Sequence, residues 1–417
     1  MGVSSTPAAR VDPIRAGTGL IFALGGLSAF GPLCLDMYLP ALPDLPVSLH
    51  STAALAQLTL SASILGLGAG QLLVGPVSDR WGRRVPLLAG LAVFVLTSVA
   101  CALSPTISVL LVARLLQGAA GAAGIVISRA VVADRFTGTV AASYFSTIAA
   151  INGVAPILAP VIGAQILRVG DWRSVFWVLT GVGVVLLVLA VLLVPESLPA
   201  ARRSAAGGTR LLAGFGVVLR DRIFLGWVIG GTCVSAAMFG YISASPFLLQ
   251  DGFGLTQTQF SFCFAGNAVG IVAISQLGRL LVGRGVRPVT LLTWSGWQCL
   301  AGAGLLTVAL LARWPLPFVL AGLFVMVSAV GFALPFSAAL AMDRHRQVAG
   351  AASALIGALQ YAIAAVTAPL VGLGDRRLGV ALAVTAISVA AVGVLAVART
   401  RRAAGVTRRG VGVNRRP

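Results

Sequence analysis

The chain has 417 residues, 58% of them hydrophobic and only 10% charged, with a mean hydropathy of +0.99 and a formal net charge of +19. That apolar excess excludes an ordinary soluble domain and describes an all-α polytopic membrane protein. The charge excludes little by itself, because all 30 basic residues are arginines whose placement follows a membrane topology rather than a nucleic-acid surface.

Apolar runs long enough to cross a hydrocarbon core of ~30 Å, roughly 20 residues each, fall in chain order at 17–40, 53–76, 85–104, 106–129, 140–167 and 174–194. Six more follow at 223–249, 257–282, 288–312, 315–341, 348–373 and 377–398. The twelve runs divide into a first unit over 1–194, a linker over 195–221, a second unit over 222–398 and a basic tail over 399–417. The linker breaks the apolar pattern with Pro195 Glu196 Ser197 Leu198 Pro199, then alanine, glycine and arginine. With the N-terminus placed inside, 24 arginines lie in cytoplasmic segments, five lie outside (Arg168, Arg173, Arg313, Arg376, Arg377), and Arg114 lies within a span. This bias predicts two cytoplasmic termini, and the tail from Arg399 to Arg416 also meets anionic lipid. The start of the chain lacks the short apolar stretch and cleavage site of a signal peptide. Five scattered cysteines support neither a disulfide framework nor a zinc site, so no metal is expected.

A weak repeat relates the halves. Ala159 Pro160 Val161 Ile162 Gly163 recurs as Ala368 Pro369 Leu370 Val371 Gly372, in the fifth run of each half, and Gly75, Gly82 and Arg84 find counterparts in Gly278, Gly285 and Arg287. Asp79 corresponds to Val282, so the second turn has lost its acid. Two such halves rocking around a ligand held between them is the architecture of alternating access. Small residues in the fifth run, with Pro156, Pro160, Gly163, Pro369 and Gly372, are expected to serve close helix packing.

Several tracts carry chemistry. Gly75 Pro76 Val77 Ser78 Asp79 Arg80 Trp81 Gly82 Arg83 Arg84 is a tight basic turn between the second and third runs. Leu35 Asp36 Met37 Tyr38 Leu39 Pro40 closes the first run. Arg114 Leu115 Leu116 Gln117 Gly118, continuing to Arg129 and Asp134, fills the fourth. Trp172 Arg173 opens the sixth, and Ser243 Ala244 Ser245 Pro246 Phe247 lies in the seventh. Taken together and in order, these resemble the major facilitator superfamily, and within it the twelve-span drug:proton antiporters of the Bcr/CflA (bicyclomycin-resistance-like) group. The resemblance covers nearly the whole chain. It departs at the fifth run, where Ala155, Ala159 and Ala164 replace glycines of the antiporter signature.

The resemblance implies the major facilitator fold, twelve helices in two pseudo-symmetric six-helix bundles. It also implies proton-coupled export of small, largely apolar compounds, including antibiotics, across the cytoplasmic (inner) membrane of a bacterium. A metabolite such as an amino acid derivative or sugar is the alternative cargo. Protons are the coupling ion and no cofactor is required, since the chain has no Gly-rich phosphate loop for ATP. The partners are a small-molecule substrate and the bilayer, with no nucleic acid, and the fold as resembled works as a monomer. An integral membrane enzyme would need clustered carboxylates or histidines, whereas His50 and His345 occupy opposite loops.

Asp36, toward the outer end of a span where its charge is costly, is the expected proton-coupling acid. Arg114, too deep to reach the interface, needs a partner, and Asp36 is the expected one; a bond to backbone carbonyls or to Gln117 is the structural alternative. The resemblance assigns Gly75, Asp79, Arg80, Gly82, Arg83, Arg84, Arg129 and Asp134 to gating. In that assignment Asp79 sits at a helix N-terminus, the arginines meet carboxylates such as Asp134, and these pairs break when the inner side opens. Met37, Gln117, Met238, Tyr241, Phe247, Asn267, Phe336, Gln360 and Tyr361 are the expected lining of the substrate cavity. Their apolar and aromatic character suits weakly specific amphiphiles.

Overall fold

A computed structural model of the chain describes residues 18–200, 203, 215–343, 349–372 and 378–411. Among these residues there is no strand. Ten helices are long and apolar enough to cross a membrane, from Ala53–Trp81 to Gly379–Ala403. The first span adds a bent pair, Thr18–Ser28 and Phe30–Asp36, and Ala349–Gly372 is the eleventh.

The reason these residues are helical is the bilayer itself, which offers no partner for a bare peptide group, so each span must satisfy its backbone internally. Helix starts are marked locally. The side chains of Thr52, Thr106 and Asp171 accept from the backbone N–H groups of Leu55, Val109 and Arg173, and Thr256 with Gln259 forms a reciprocal capping box. The second and fourth spans, Ala53–Trp81 and Ile107–Arg135, lie backbone on backbone. A Cβ on Gly66 would collide with the Leu115 carbonyl, and one on Gly118 with the Ser63 carbonyl, so glycine sets the contact from both sides.

Several boundaries differ from the sequence reading, the second span among them, which runs to Trp81 rather than ending near 76. The fourth span continues to Arg135 rather than ending near 129, carrying the Asp134 carboxylate past the apolar run. The twelfth is one helix from Leu378 to Val411, so the helix continues beyond the end of the apolar run at 398. Arginine and alanine are good helix formers, and no proline or acid interrupts them there.

Among the described residues the halves meet at several points, and the fifth span packs along the eighth. At the end of the bundle that carries Pro40 and Asp44, Gln250 Nε2 donates to the Pro40 carbonyl at 3.3 Å, Gln257 Nε2 to Asp44 Oδ2 at 3.1 Å, and Ser261 Oγ to the Pro160 carbonyl at 2.9 Å. Deeper in, the second span packs on the eleventh, where Gly68 faces the Tyr361 ring. Pro369 and Gly372 lie outside the residues whose side chains are described.

Candidate functional site: a central cavity with one carboxylate

A cavity of about 230 Å³ opens between the halves. The first half contributes Gly31, Pro32, Leu35, Asp36, Leu67, Ile125 and Pro156. From the second half come Met238, Phe239, Tyr241, Ile242, Phe264, Asn267, Ala268, Ile271, Val327, Gln360 and Tyr361. Asp36 is 6% exposed and makes no hydrogen bond or ion pair among the described residues. It is the only charged side chain in the lining. Opposite, Asn267 Nδ2 donates to Tyr241 Oη at 2.7 Å, and the Tyr241 ring stacks on Phe264 with centroids 5.5 Å apart.

The structure does not bring Arg114 to Asp36. Arg114 is fully buried inside the first bundle, where Nη1 donates to the Cys34 carbonyl at 3.1 Å and to Gln117 Oε1 at 2.7 Å. Its guanidinium carbon lies 4.8 Å from the Tyr38 ring centroid and 5.5 Å from that of Phe176, while Nε and Nη2 have no partner. Helix rotation explains the separation. Two residues turn about 200°, so the Cys34 face that meets the fourth span lies across the helix from the Asp36 face that meets the cavity. Gln117 belongs to the arginine cluster, not to the cavity: it is fully buried and its Nε2 donates to Ser98 Oγ at 2.7 Å.

Three other expected lining residues also lie elsewhere. Met37 is 2% exposed, packed in a core with Tyr38, Leu39 and Leu42, with its carbonyl against Gly163. Phe247 belongs to the same core. Phe336 packs against Gly278 and Phe332. Met238, Tyr241, Asn267, Gln360 and Tyr361 do line the cavity, and Pro156, expected only to pack helices, joins them. The residues missed were readable by spacing: Phe264 and Ile271 stand three before and four after Asn267 on a single helix face.

The basic turn forms a network within the first half and the linker. Arg83 bonds Asp79, Ser78 Oγ at 2.7 Å and Asp134 Oδ2 at 2.9 Å, and Ser197 Oγ donates to Asp134 at 3.0 Å. Asp79 lies near the C-terminal end of its helix, not at an N-terminus. The carboxylate that caps the next helix is Glu196, which accepts from the backbone N–H groups of Arg83 at 2.8 Å and Arg84 at 3.3 Å. Gly82 between them has φ 90°, and a Cβ there would run into the Glu196 carboxylate. Arg84 donates to the Val191 carbonyl at 2.7 Å, while Arg80 and Arg129 are exposed and Gly75 faces open space. No hydrogen bond or ion pair of Asp79, Arg83, Arg84 or Asp134 reaches the second half among the described residues.

Glu196 shows the electrostatics of that cap. Partial burial pushes its carboxyl up, but the N–H groups of Leu198, Arg83 and Arg84 and the charge of Arg203 prevail and hold it below its ordinary value. Among the described residues no group of three or more His, Cys, Asp or Glu side chains is placed to hold a metal.

Two helical halves around an apolar cavity, joined by a linker, match known proteins along most of the sequence, and the Major Facilitator Superfamily matches over residues 22–369. The chain belongs to this superfamily. It is 37% identical over 377 residues to an uncharacterized MFS-type transporter, YdgK, of Bacillus subtilis (strain 168), covering 88% of this chain and 92% of that one. It is 28% identical to a bicyclomycin resistance protein homolog of Haemophilus influenzae, covering 84% and 88%, and 30% identical to the multidrug resistance protein MdtL of Klebsiella pneumoniae, covering 79% and 82%. These relatives agree with the resemblance to the bicyclomycin-resistance-like group. Among solved structures, the xylose transporter XylE of E. coli superimposes with a TM-score of 0.67 over 89% of this chain and 97% of that one, at 15% identity. A bacterial homolog of the lysosomal transporter Spinster gives 0.69 over 91% and 94%. The family and fold are those of a multi-pass membrane transporter, not of an enzyme.

Proposed function

We propose that this transporter is a proton-coupled antiporter that exports small, largely apolar compounds, antibiotics among them, by alternating access. The observation that carries this reading is Asp36, buried, unpartnered and facing an apolar cavity between the halves. A carboxyl there binds a proton or a ligand, and each change alters the cost of enclosing its charge. The transporter works in the cytoplasmic membrane of a bacterium as a monomer with both termini in the cytoplasm, and protons are its only coupling ion. One proton exchanged at ~150 mV supplies ~3.5 kcal/mol, enough for a gradient of several hundredfold. A single titrating acid therefore suffices. The hydrogen bonds that join the outer ends support a state closed to the outside.

The test is a drug panel in an efflux-deficient host producing the wild type or Asp36→Asn, with and without an uncoupler. Wild-type export is expected to collapse with the uncoupler, and the variant to export nothing above background. Export that ignores the uncoupler overturns the antiport reading, and full export by the variant removes Asp36 from the mechanism.

A further inference from the structure

Gln57 is fully buried, and neither its Nε2 nor its Oε1 has a hydrogen-bond partner among the described residues. Ser61, 5% exposed, and Ser243, 1% exposed, are in the same condition at Oγ. Buried side-chain polar atoms nearly always find a partner, so unbonded groups gathered in one place need a reason. The other buried hydroxyls of the second span do find one: Thr59, Ser63 and Ser78 each donate to a carbonyl.

Helix spacing gathers the three. Gln57, Ser61, Ile64 and Gly68 recur at i, i+4, i+7 and i+11, which is one face of the second span. Along that face Gly68 meets the Tyr361 ring, and Ile64 packs in a cluster with Phe239 and Ala364, so this is the face turned toward the second half. On the seventh span, Ser243 stands four residues after Phe239, one turn further along the same face. The two spans run in opposite directions, since Thr59 of the second meets Tyr38 and Gln250, just past the seventh, meets Pro40. From the contact of Ile64 with Phe239, both faces therefore continue toward the end that carries Pro40 and Asp44. Gln57 and Ser61 lie on one wall of a seam between the halves, and Ser243 lies on the other.

A closed seam of this kind gives up the hydration of its polar atoms and puts no bond in its place. Leaving such atoms unbonded costs more than a made hydrogen bond returns. Water bonds them again once the walls part, so their contribution opposes the three hydrogen bonds that join the halves at this end.

We propose that Gln57, Ser61 and Ser243 form a release seam, dry when the halves close at this end and wetted when they part, which biases the closed arrangement toward reopening. This rests on the halves moving apart here, as the proposed alternating access requires, and needs neither proton coupling nor any particular cargo. Polar side chains at an interface ordinarily hold it together. Here the sign is reversed, so apolar side chains of similar size close the seam more firmly.

The test measures distance distributions between spin labels on Val47→Cys and Gly252→Cys, both exposed positions at this end, in the full-length protein in lipid nanodiscs. Gln57→Met keeps the length of the side chain and removes both amide atoms, and Ser61→Ala combined with Ser243→Ala removes the hydroxyls. Each is expected to raise the ratio of short to long distances about tenfold, with an unfolding midpoint no lower than that of the wild type. The same substitutions are repeated with Gln257→Ala and Ser261→Ala, which delete two of the crossing bonds and enlarge the long-distance population. There the short distance is expected to be regained. Distributions that stay unmoved in both backgrounds, or a move to longer distances, overturn the proposal. A lowered midpoint in both Gln57→Met and the serine pair also overturns it, because the groups would then be holding the closed seam together. A long-distance population that these substitutions leave unchanged removes this proposal alone, whereas its absence from every variant removes the moving halves as well.

Discussion

Arg114 lies inside the first bundle with one nitrogen bonded, two nitrogens unpartnered and two aromatic rings beside its guanidinium. A planar guanidinium can stack and bond at once, and a lysine ammonium cannot. Arg114→Lys is therefore expected to lose about 2 kcal/mol of stability, read as a lower unfolding midpoint in detergent. Glu196 makes a separate pH prediction. Its carboxyl is held below the ordinary value of 4.5, so its contribution is complete above that value and is lost as pH falls through the lower folded-state value. Melting curves taken at descending pH should show the wild type losing midpoint in that acid window, and Glu196→Gln should lack this component of the loss. Equal pH dependence of the two proteins would show that the cap carries no such linkage.

At the scale of whole helices, the close approach of the second and fourth spans depends on the reciprocal glycines. Gly118→Leu has to push the Ser63 backbone away, and overpacking of this kind costs about 1–3 kcal/mol or more. The expected result is poor recovery from the membrane and a lowered midpoint, while a change at Gly75, which faces open space, leaves both unaltered. This level of the fold was also the most readable. Apolar run length located the spans because hydrocarbon thickness dictates it, and the signature tracts located the turn. The rotation of the first span was not readable from them. Cys34, Asp36 and Met37 are near neighbours in the chain, yet one meets Arg114, one the cavity and one the core around Tyr38 and Leu42. Which of the three faces the opening is settled by Gly163 and the fourth span, both far away in sequence. The Glu196 cap was illegible for the same reason, since its partners lie 113 and 112 residues earlier.

For the whole molecule, the contact between the halves at the end that carries Pro40 and Asp44 rests on few hydrogen bonds among the described residues. Gln257 to Asp44 and Ser261 to Pro160 are two of the three described there. At about 1 kcal/mol each, Gln257→Ala combined with Ser261→Ala should shift the balance toward the outward-open state by roughly thirtyfold. Spin labels on Val47→Cys and Gly252→Cys, both exposed positions at that end, should report a longer distance population in the double variant. An unchanged distance distribution would show that packing, not these bonds, shuts the outer side.

The unbroken twelfth helix has a practical use. Its 34 residues reach about 50 Å at 1.5 Å per residue, well beyond a hydrocarbon thickness of ~30 Å. It therefore leaves the bilayer as a stiff stalk, and a helical fusion joined in register at Val411 would turn with the second bundle. Such a rigid marker would let microscopy follow the rocking of that bundle directly in a protein otherwise almost wholly sunk in lipid.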